Sequence, residues 1–266
     1  MTAIALTIAG SDSGGGAGIQ ADLKTFSALG VYGASVISAI TAQNTRGVTA
    51  VEDISAGMIS AQMDAVFSDI NIGAVKIGMV SRIKTIETIA DGLHSIAKPI
   101  VLDPVMVATS GDRLLQEDAI ETLRNRLLPL AWLATPNLPE AALLSGQPMA
   151  ENNKDMVRQA EAILKTGVGA VLIKGGHGTG SDSVDLLVDG NSVQEFSMPR
   201  IETHNDHGTG CTLAAAITAH LALGQPLAEA VGLSKEFLHG ALVAGKDLTI
   251  GGGHGPVHHF YRWWSA

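Results

Sequence analysis

One cysteine, Cys211, stands among 266 residues, so the chain cannot close an internal disulfide, as suits a reducing, cytoplasmic compartment. Cations are also scarce: 17 Lys and Arg face 26 Asp and Glu, a net charge of −9 that argues against a nucleic-acid backbone as partner. No apolar run approaches the roughly 20 residues of a membrane-spanning helix. The N-terminus lacks a basic segment leading into a cleavable hydrophobic one, so no targeting signal is expected. Repeats, charge blocks and Pro/Ser-rich linkers are missing as well, which favours one domain over residues 1–266. What remains is a chain 46% hydrophobic and 16% charged, long enough to bury a substantial core and suited to a small ligand.

Short β-branched apolar runs alternate with longer stretches of helical spacing, the pattern of an α/β fold around a mainly parallel sheet. Strands are expected at Ala3–Ala9, Ala34–Ala39, Ala74–Gly78, Ile100–Leu102, Trp132–Thr135 and Ala170–Lys174, each apolar enough to be buried on both faces. Helices are expected at Ala21–Leu29, Ser60–Asp69, Thr85–Ile96, Asp118–Leu128, Lys154–Lys165, Thr212–Leu223 and Leu227–Ala244, covering both sides. Around Asp189-Gly190 the segment Asp185–Phe196 reads as an antiparallel hairpin at a sheet edge.

In such sheets ligands bind beyond the carboxyl ends of the strands, which singles out five loops. The first, Ala9–Asp22, carries glycines at 14, 15, 16 and 18 among Ser11, Asp12, Ser13 and Asp22 and suits close backbone approach to a ligand. It matches the dinucleotide fingerprint only weakly, at Gly16-x-Gly18-x-x-Ala21, because no acid lies between Asp22 and Glu52, and it is no P-loop, since no Lys-Ser or Lys-Thr pair follows directly on the glycines. In the second, Asp103 ends a buried strand, where it caps a turn, pairs with a cation or serves a metal. In the third, the spacing of Asn137 and Glu140 at a helix start favours a capping box. In the fourth, Lys174 precedes glycines, as a phosphate contact or as a surface lysine would. The fifth is the strongest. Gly208-Thr209-Gly210-Cys211 runs into an alanine-rich helix whose first N–H groups and dipole would make an anion hole and favour a thiolate at Cys211. A small buried core residue is the plainer account of a lone cysteine. His204, His207, His254, His258 and His259 show no metal-ligand spacing and read as turn and surface residues.

The segments AGSDSGGGAGIQADLKTFSALGVYGASVISAITAQNT, VKIGM, DPVMVATSGDRLL, TPNLPEA, KGGH, HGTGCTLAAAI and GHGPVHHF span nearly the whole chain. In that order they resemble the hydroxymethylpyrimidine and phosphomethylpyrimidine kinases of thiamin biosynthesis, members of the ribokinase-like superfamily. The resemblance implies a mostly parallel sheet flanked by helices, with ATP at the strand carboxyl ends. It implies two successive phosphorylations of 4-amino-5-hydroxymethyl-2-methylpyrimidine, first on its alcohol and then on the monophosphate. Carried over by position, Gln43 pairs with the aminopyrimidine edge, and Gly10, Ala17, Met79 and either Val105 or Val107 contact the ring. Asp22 lies near the hydroxymethyl group. Asp103, Asn137 and Glu140 serve Mg²⁺, reversing the capping preference, while Lys174 and Thr209 meet the nucleotide phosphates. Gly208, Thr209 and Gly210 form the anion hole, and Cys211 takes the place of the sugar kinases' catalytic aspartate as base or orienting group. Asp206 departs from the uncharged residue expected there; it caps the turn or points away. The family is commonly dimeric. A pyridoxal kinase, or a pyrimidine-binding protein without catalysis, are the competing readings, with a nicotinamide-dependent oxidoreductase a distant third.

Overall fold

A computed structural model describes residues 2–106, 115, 118–176 and 180–264. Strands β1 (Ile4–Asp12), β2 (Tyr32–Asn44), β3 (Gly47–Asp53), β4 (Ala74–Ile77), β5 (Ile100–Leu102), β6 (Leu133–Ala134), β7 (Ala170–Lys174), β8 (Asp182–Asp189) and β9 (Val193–Pro199) form one sheet in the order β3-β2-β1-β4-β5-β6-β7-β8-β9. From β2 to β7 every pairing is parallel. Antiparallel strands close both edges, β3 on β2 and β8 with β9 beyond β7.

Helices α1 (Gly18–Ala28), α2 (Ala56–Asp69), α3 (Ile83–Leu93), α4 (Ala119–Thr122), α5 (Leu138–Ser145), α6 (Asn153–Leu164), α7 (Thr209–Ala222) and α8 (Leu227–Gly245) flank it. The two-residue alternation of a strand explains how one apolar run serves two cores. Val75 and Ile77, Ile100 and Leu102, Val171 and Ile173 enter the core under α2, α3 and α6, whereas Ala74, Val101 and Leu172 pack on α7 and α8. Lys76 shares its strand face with Ala74 and so points toward α1 and α7, where Asp22 meets it at 2.9 Å.

The expected hairpin is β8–β9. Three elements differ from expectation. The strand expected at Ala34–Ala39 continues to Asn44 and pairs with β3, whose largely exposed residues carry no buried-strand signature. The helix expected over Asp118–Leu128 is one α turn, a π turn at Leu123–Leu127 and a 3₁₀ turn at Leu128–Leu130, where Pro129 interrupts the ladder. A further helix, α5, follows Asn137.

The last segment returns across α8 and α1. His258 N–H donates to Ala241 O (3.1 Å) and Trp263 Nε1 to Ala28 O (3.2 Å). His258 and His259 are buried, not on the surface as expected. His259 Nε2 lies 3.0 Å from Thr212 Oγ1, whose hydrogen goes to Gly208 O at 2.8 Å, so neutral His259 carries its proton on Nε2. Burial, aided by Lys24 and His258, pushes its pKa down to about 3. The unfolded chain therefore takes up a proton that the fold refuses: the contribution is complete above the ordinary histidine value of 6.5 and lost as pH falls below it. From pH 7.5 to 5.5 this residue should remove about 1.4 kcal/mol of unfolding free energy. Urea titrations of the protein and of His259→Gln at both pH values should show that increment in the former and not in the latter.

Candidate active site

A cavity of about 700 Å³ opens beyond the carboxyl ends of the parallel strands. One wall is the glycine loop between β1 and α1, and Asp12 shapes it. Its Oδ1 accepts Gly14 N–H at 2.8 Å; its Oδ2 accepts Gly16 N–H (3.0 Å), Ala17 N–H (2.8 Å) and His207 Nε2 (3.0 Å). Burial alone would raise the pKa of Asp12, but these bonds, led by His207, outweigh it and keep the carboxylate ionised. Gly208 rests against this loop with φ +81°, and a Cβ there would run into the Gly16 carbonyl oxygen. His207, read from sequence as a turn residue, is instead buried in the wall between Asp12 and Gln43. A histidine between loops belongs to no periodic pattern, so only its place directly before Gly208 marked it.

Helix α7 begins at the cavity floor with no side chain capping it. Thr209 N–H bonds to Asp206 O and Thr212 N–H to Gly208 O. Among the described residues the N–H groups of Gly210 and Cys211 have no protein acceptor, so they and the helix dipole are available to an anion. Beside them Lys174 Nζ is 2.7 Å from Asp103 Oδ1, which also accepts from Thr135 Oγ1 at 3.1 Å. Burial disfavours the lysine's charge, but Asp103 and Glu140 more than compensate and raise its pKa. Asp206 Oδ1 lies 2.7 Å from His254 Nδ1 at the cavity mouth, while its backbone carbonyl closes the turn.

Asn137 and Glu140 form the capping box that their spacing predicts: Asn137 Oδ1 accepts Glu140 N–H (2.9 Å) and Glu140 Oε2 accepts Asn137 N–H (2.8 Å). Both also line the cavity. Burial pushes the Glu140 pKa up to about 7, with Lys174 opposing and Asp103 adding to the rise. Asp103 and Glu140 thus share one ammonium. That surplus of negative charge and the hard oxygen donors fit a magnesium ion.

Two sequence expectations need correction. Burial pushes the Cys211 thiol up to about 11, with Lys76 opposing and Asp22 and Asp103 reinforcing, so a thiol and not a thiolate stands at the helix start. Asp22 does not line the cavity. Helix α1 turns it inward, fully buried, where Oδ2 accepts Thr7 Oγ1 (2.6 Å) and Lys76 Nζ (2.9 Å) while Oδ1 has no partner. Of the remaining expected ring contacts, Gly10, Ala17, Gln43, Met79 and Val105 line the cavity, and Val107 lies outside the described residues. An apolar wing contributed by Leu213, Leu238, Leu242 and Ile201, beside the buried pair Asp185–Lys235 (2.6 Å), had no sequence signal beyond ordinary helix periodicity.

This sheet, closed at both edges by antiparallel strands and carrying its cavity at the strand ends, is a ribokinase-like fold. A pyridoxal kinase from Bacillus subtilis, solved with ADP, superposes with a TM-score of 0.91 at 37% identity over 99% of this chain and all of its own. The phosphomethylpyrimidine kinase of Clostridium difficile 630 gives 0.80 at 50% identity over 90% of this chain and 99% of its own. A hydroxymethylpyrimidine/phosphomethylpyrimidine kinase from Rhizobium meliloti is 66% identical over 99% of both chains. The profile of the phosphomethylpyrimidine kinase family matches residues 12–258, and the chain belongs to that family.

The two glycines of the helix start make separable demands. Gly208→Ala forces a left-handed backbone on an L residue and a clash with Gly16, and should lower unfolding free energy by about 2 kcal/mol or more. Gly210 has ordinary backbone angles, but an added Cβ would stand 3.3 Å from Lys174 Nζ. Gly210→Ala should therefore melt close to the unaltered protein and yet lose phosphate affinity, read by calorimetry with ADP.

Proposed function

We propose that this protein transfers the γ-phosphoryl group of ATP to the hydroxymethyl oxygen of 4-amino-5-hydroxymethyl-2-methylpyrimidine, and then to the monophosphate so formed, in thiamin biosynthesis. The observation that carries the reading is the meeting, in one cavity, of Lys174, the side-chain amide of Gln43 and two helix N–H groups that have no acceptor among the described residues. The names of the full-length relatives supply the substrates.

In each step the acceptor oxygen forms a bond to phosphorus as the bond to the ADP oxygen breaks, and in the first the alcohol's proton leaves to a phosphoryl oxygen or to water. Little covalent work falls to the protein, so positioning and charge neutralisation dominate. The N–H groups of Gly210 and Cys211 receive the charge of the transferring group, and Lys174 and Thr209 bind phosphate oxygens. Magnesium, when bound, would be held by Asp103, Glu140 and Asn137 and would supply further neutralisation of phosphate charge. Gly10, Ala17, Met79 and a valine, Val105 or Val107, bound the ring. The apolar wing around Leu238 suits the flat adenine base. Asp22 acts from behind the wall, setting with Lys76 the field around Cys211. A single domain, a cytoplasmic setting and a homodimer complete the reading; the continuous nine-stranded sheet supports the first, and among the described residues no helix is long and apolar enough to cross a membrane.

Cys211, as a thiol, orients the alcohol for the first transfer. The second acceptor is already an anionic phosphate and has less need of it. Cys211→Ala should slow formation of the monophosphate about tenfold to a hundredfold and leave conversion to the diphosphate within about threefold, followed by quenched-flow mass spectrometry. Equal loss in both steps would remove the role.

The reading as a whole is tested by incubating purified protein with Mg-ATP and the pyrimidine alcohol, alongside pyridoxal, the pyridine alcohol named for the Bacillus subtilis relative in fold. Monophosphate followed by diphosphate supports it. Phosphorylated pyridoxal alone would transfer the assignment to a pyridoxal kinase, and binding without turnover to a sensor.

A further inference from the structure

The amide of Gln43 ends a chain of hydrogen bonds whose proton count admits one arrangement. His207 Nε2 lies 3.0 Å from Asp12 Oδ2. That carboxylate is ionised and already accepts backbone N–H groups, so it has no proton to give and the ring must carry its hydrogen on Nε2. The Gln43 side chain approaches the same ring nitrogen at 3.4 Å. With its NH₂ group turned there, two donors would face each other.

Thr41 poses a matching conflict. Its Oγ1 is 2.9 Å from Ser11 O and 3.0 Å from the other terminal atom of the amide. Two acceptors at these short distances compete for one hydroxyl hydrogen. A half-turn about the last side-chain bond of Gln43 exchanges oxygen and nitrogen without changing shape, and it removes both conflicts together. Thr41 then donates to Ser11 O and accepts from the amide NH₂, and at 3.4 Å the amide oxygen is a second, longer acceptor beside the His207 N–H, whose shorter bond goes to Asp12.

We propose that Asp12, His207 and Thr41 are positioning residues that lock the Gln43 amide with its oxygen toward His207 and its nitrogen toward Thr41, and so fix the order of donor and acceptor offered to a heterocycle. One N–H and one lone pair of the amide remain for the ligand. The consequence for specificity rests on the pyrimidine reading above. A 4-aminopyrimidine presents a ring-nitrogen acceptor beside an amino donor. Its 4-oxo analogue, in the lactam form, presents an N–H donor beside a carbonyl acceptor, the reverse order within nearly the same outline. A locked amide serves the first and leaves buried groups opposed by the second, whereas an unlocked amide turns and serves both.

The test measures kcat/KM for the 4-amino alcohol and for 5-hydroxymethyl-2-methylpyrimidin-4(3H)-one, with KM for ATP in parallel, in the protein and in His207→Phe and Thr41→Val. The unaltered protein should prefer the amino ring by about a hundredfold or more. Each variant should lower that ratio about tenfold, and in Thr41→Val, which is remote from the helix start, KM for ATP should stay within about twofold. Loss of activity on both rings in equal proportion, the ratio unchanged, would overturn the lock, since that is what a merely structural role produces. Thr41→Val, which keeps the side-chain shape and lies on a different element, answers the question if His207→Phe does not fold. If the unaltered protein phosphorylates neither ring, it is the functional reading that fails. The ratio is then taken from calorimetric dissociation constants of the same two alcohols, and equal affinity in the unaltered protein would overturn the lock.

Discussion

The Asp12 carboxylate is the contact on which the cavity depends. It terminates β1, collects N–H groups from Gly14, Gly16 and Ala17, and reaches across to His207 in the loop before α7. Without an anion at that point, those N–H groups would be buried or half-buried without acceptors, each a loss of about 1–3 kcal/mol. With it, a stretch rich in glycine, which would otherwise sample many conformations, is drawn into one. Because His207 is joined to Gly208, the same carboxylate fixes the glycine loop against the helix start. The glycine loop that walls the cavity and the helix start at its floor are therefore built as one unit.

A second constraint is electrical. Three lysines are buried with aspartates, Lys76 with Asp22, Lys174 with Asp103 and Lys235 with Asp185. Burying any of these charges alone would be prohibitive, so each lysine's position dictates an acid within reach. Only around Lys174 does the count fail to balance, since Glu140 adds a second carboxylate. The one-to-one pair of Lys76 and Asp22 sits behind the wall, and the unbalanced group sits on it. Surplus charge at a cavity surface is what a counter-ion can relieve, and the count sets Lys174 and Asp103 apart from Lys235 and Asp185, which also line the cavity but pair one to one.

The fold was largely legible because its central strands are buried on both faces and leave uninterrupted apolar runs; Ala170–Lys174 and Ile100–Leu102 coincide with the strands found. Strand β3 and the far half of β2 were not legible, because their exposure removes the apolar pattern and only pairing defines them. Glycine clusters and strand-end charges pointed to loops that wall the cavity. What they could not convey was depth. Asp22 and Asp12 look alike in sequence, flanking the same glycines, yet the turn of α1 sends one behind the wall and leaves the other within it. Cys211 misled for the same reason: a helix start favours a thiolate only where water or a close cation also stabilises it, and here burial prevails.

Asn137 and Glu140 show why a capping and a metal-binding reading of one motif need not compete. The capping box uses the Asn137 oxygen and a Glu140 oxygen to close the first turn of α5, which locks both side chains. Pro136 O receives the Lys174 N–H at 2.9 Å, so that turn is also tied to the end of β7 and brings Glu140 to Lys174 and Asp103. A glutamate free to rotate would relax away from a neighbouring carboxylate toward water. One held by the box cannot, and its proton affinity rises instead. The cap is thus the means by which the acid is kept where its charge is unfavourable alone and valuable once a cation arrives.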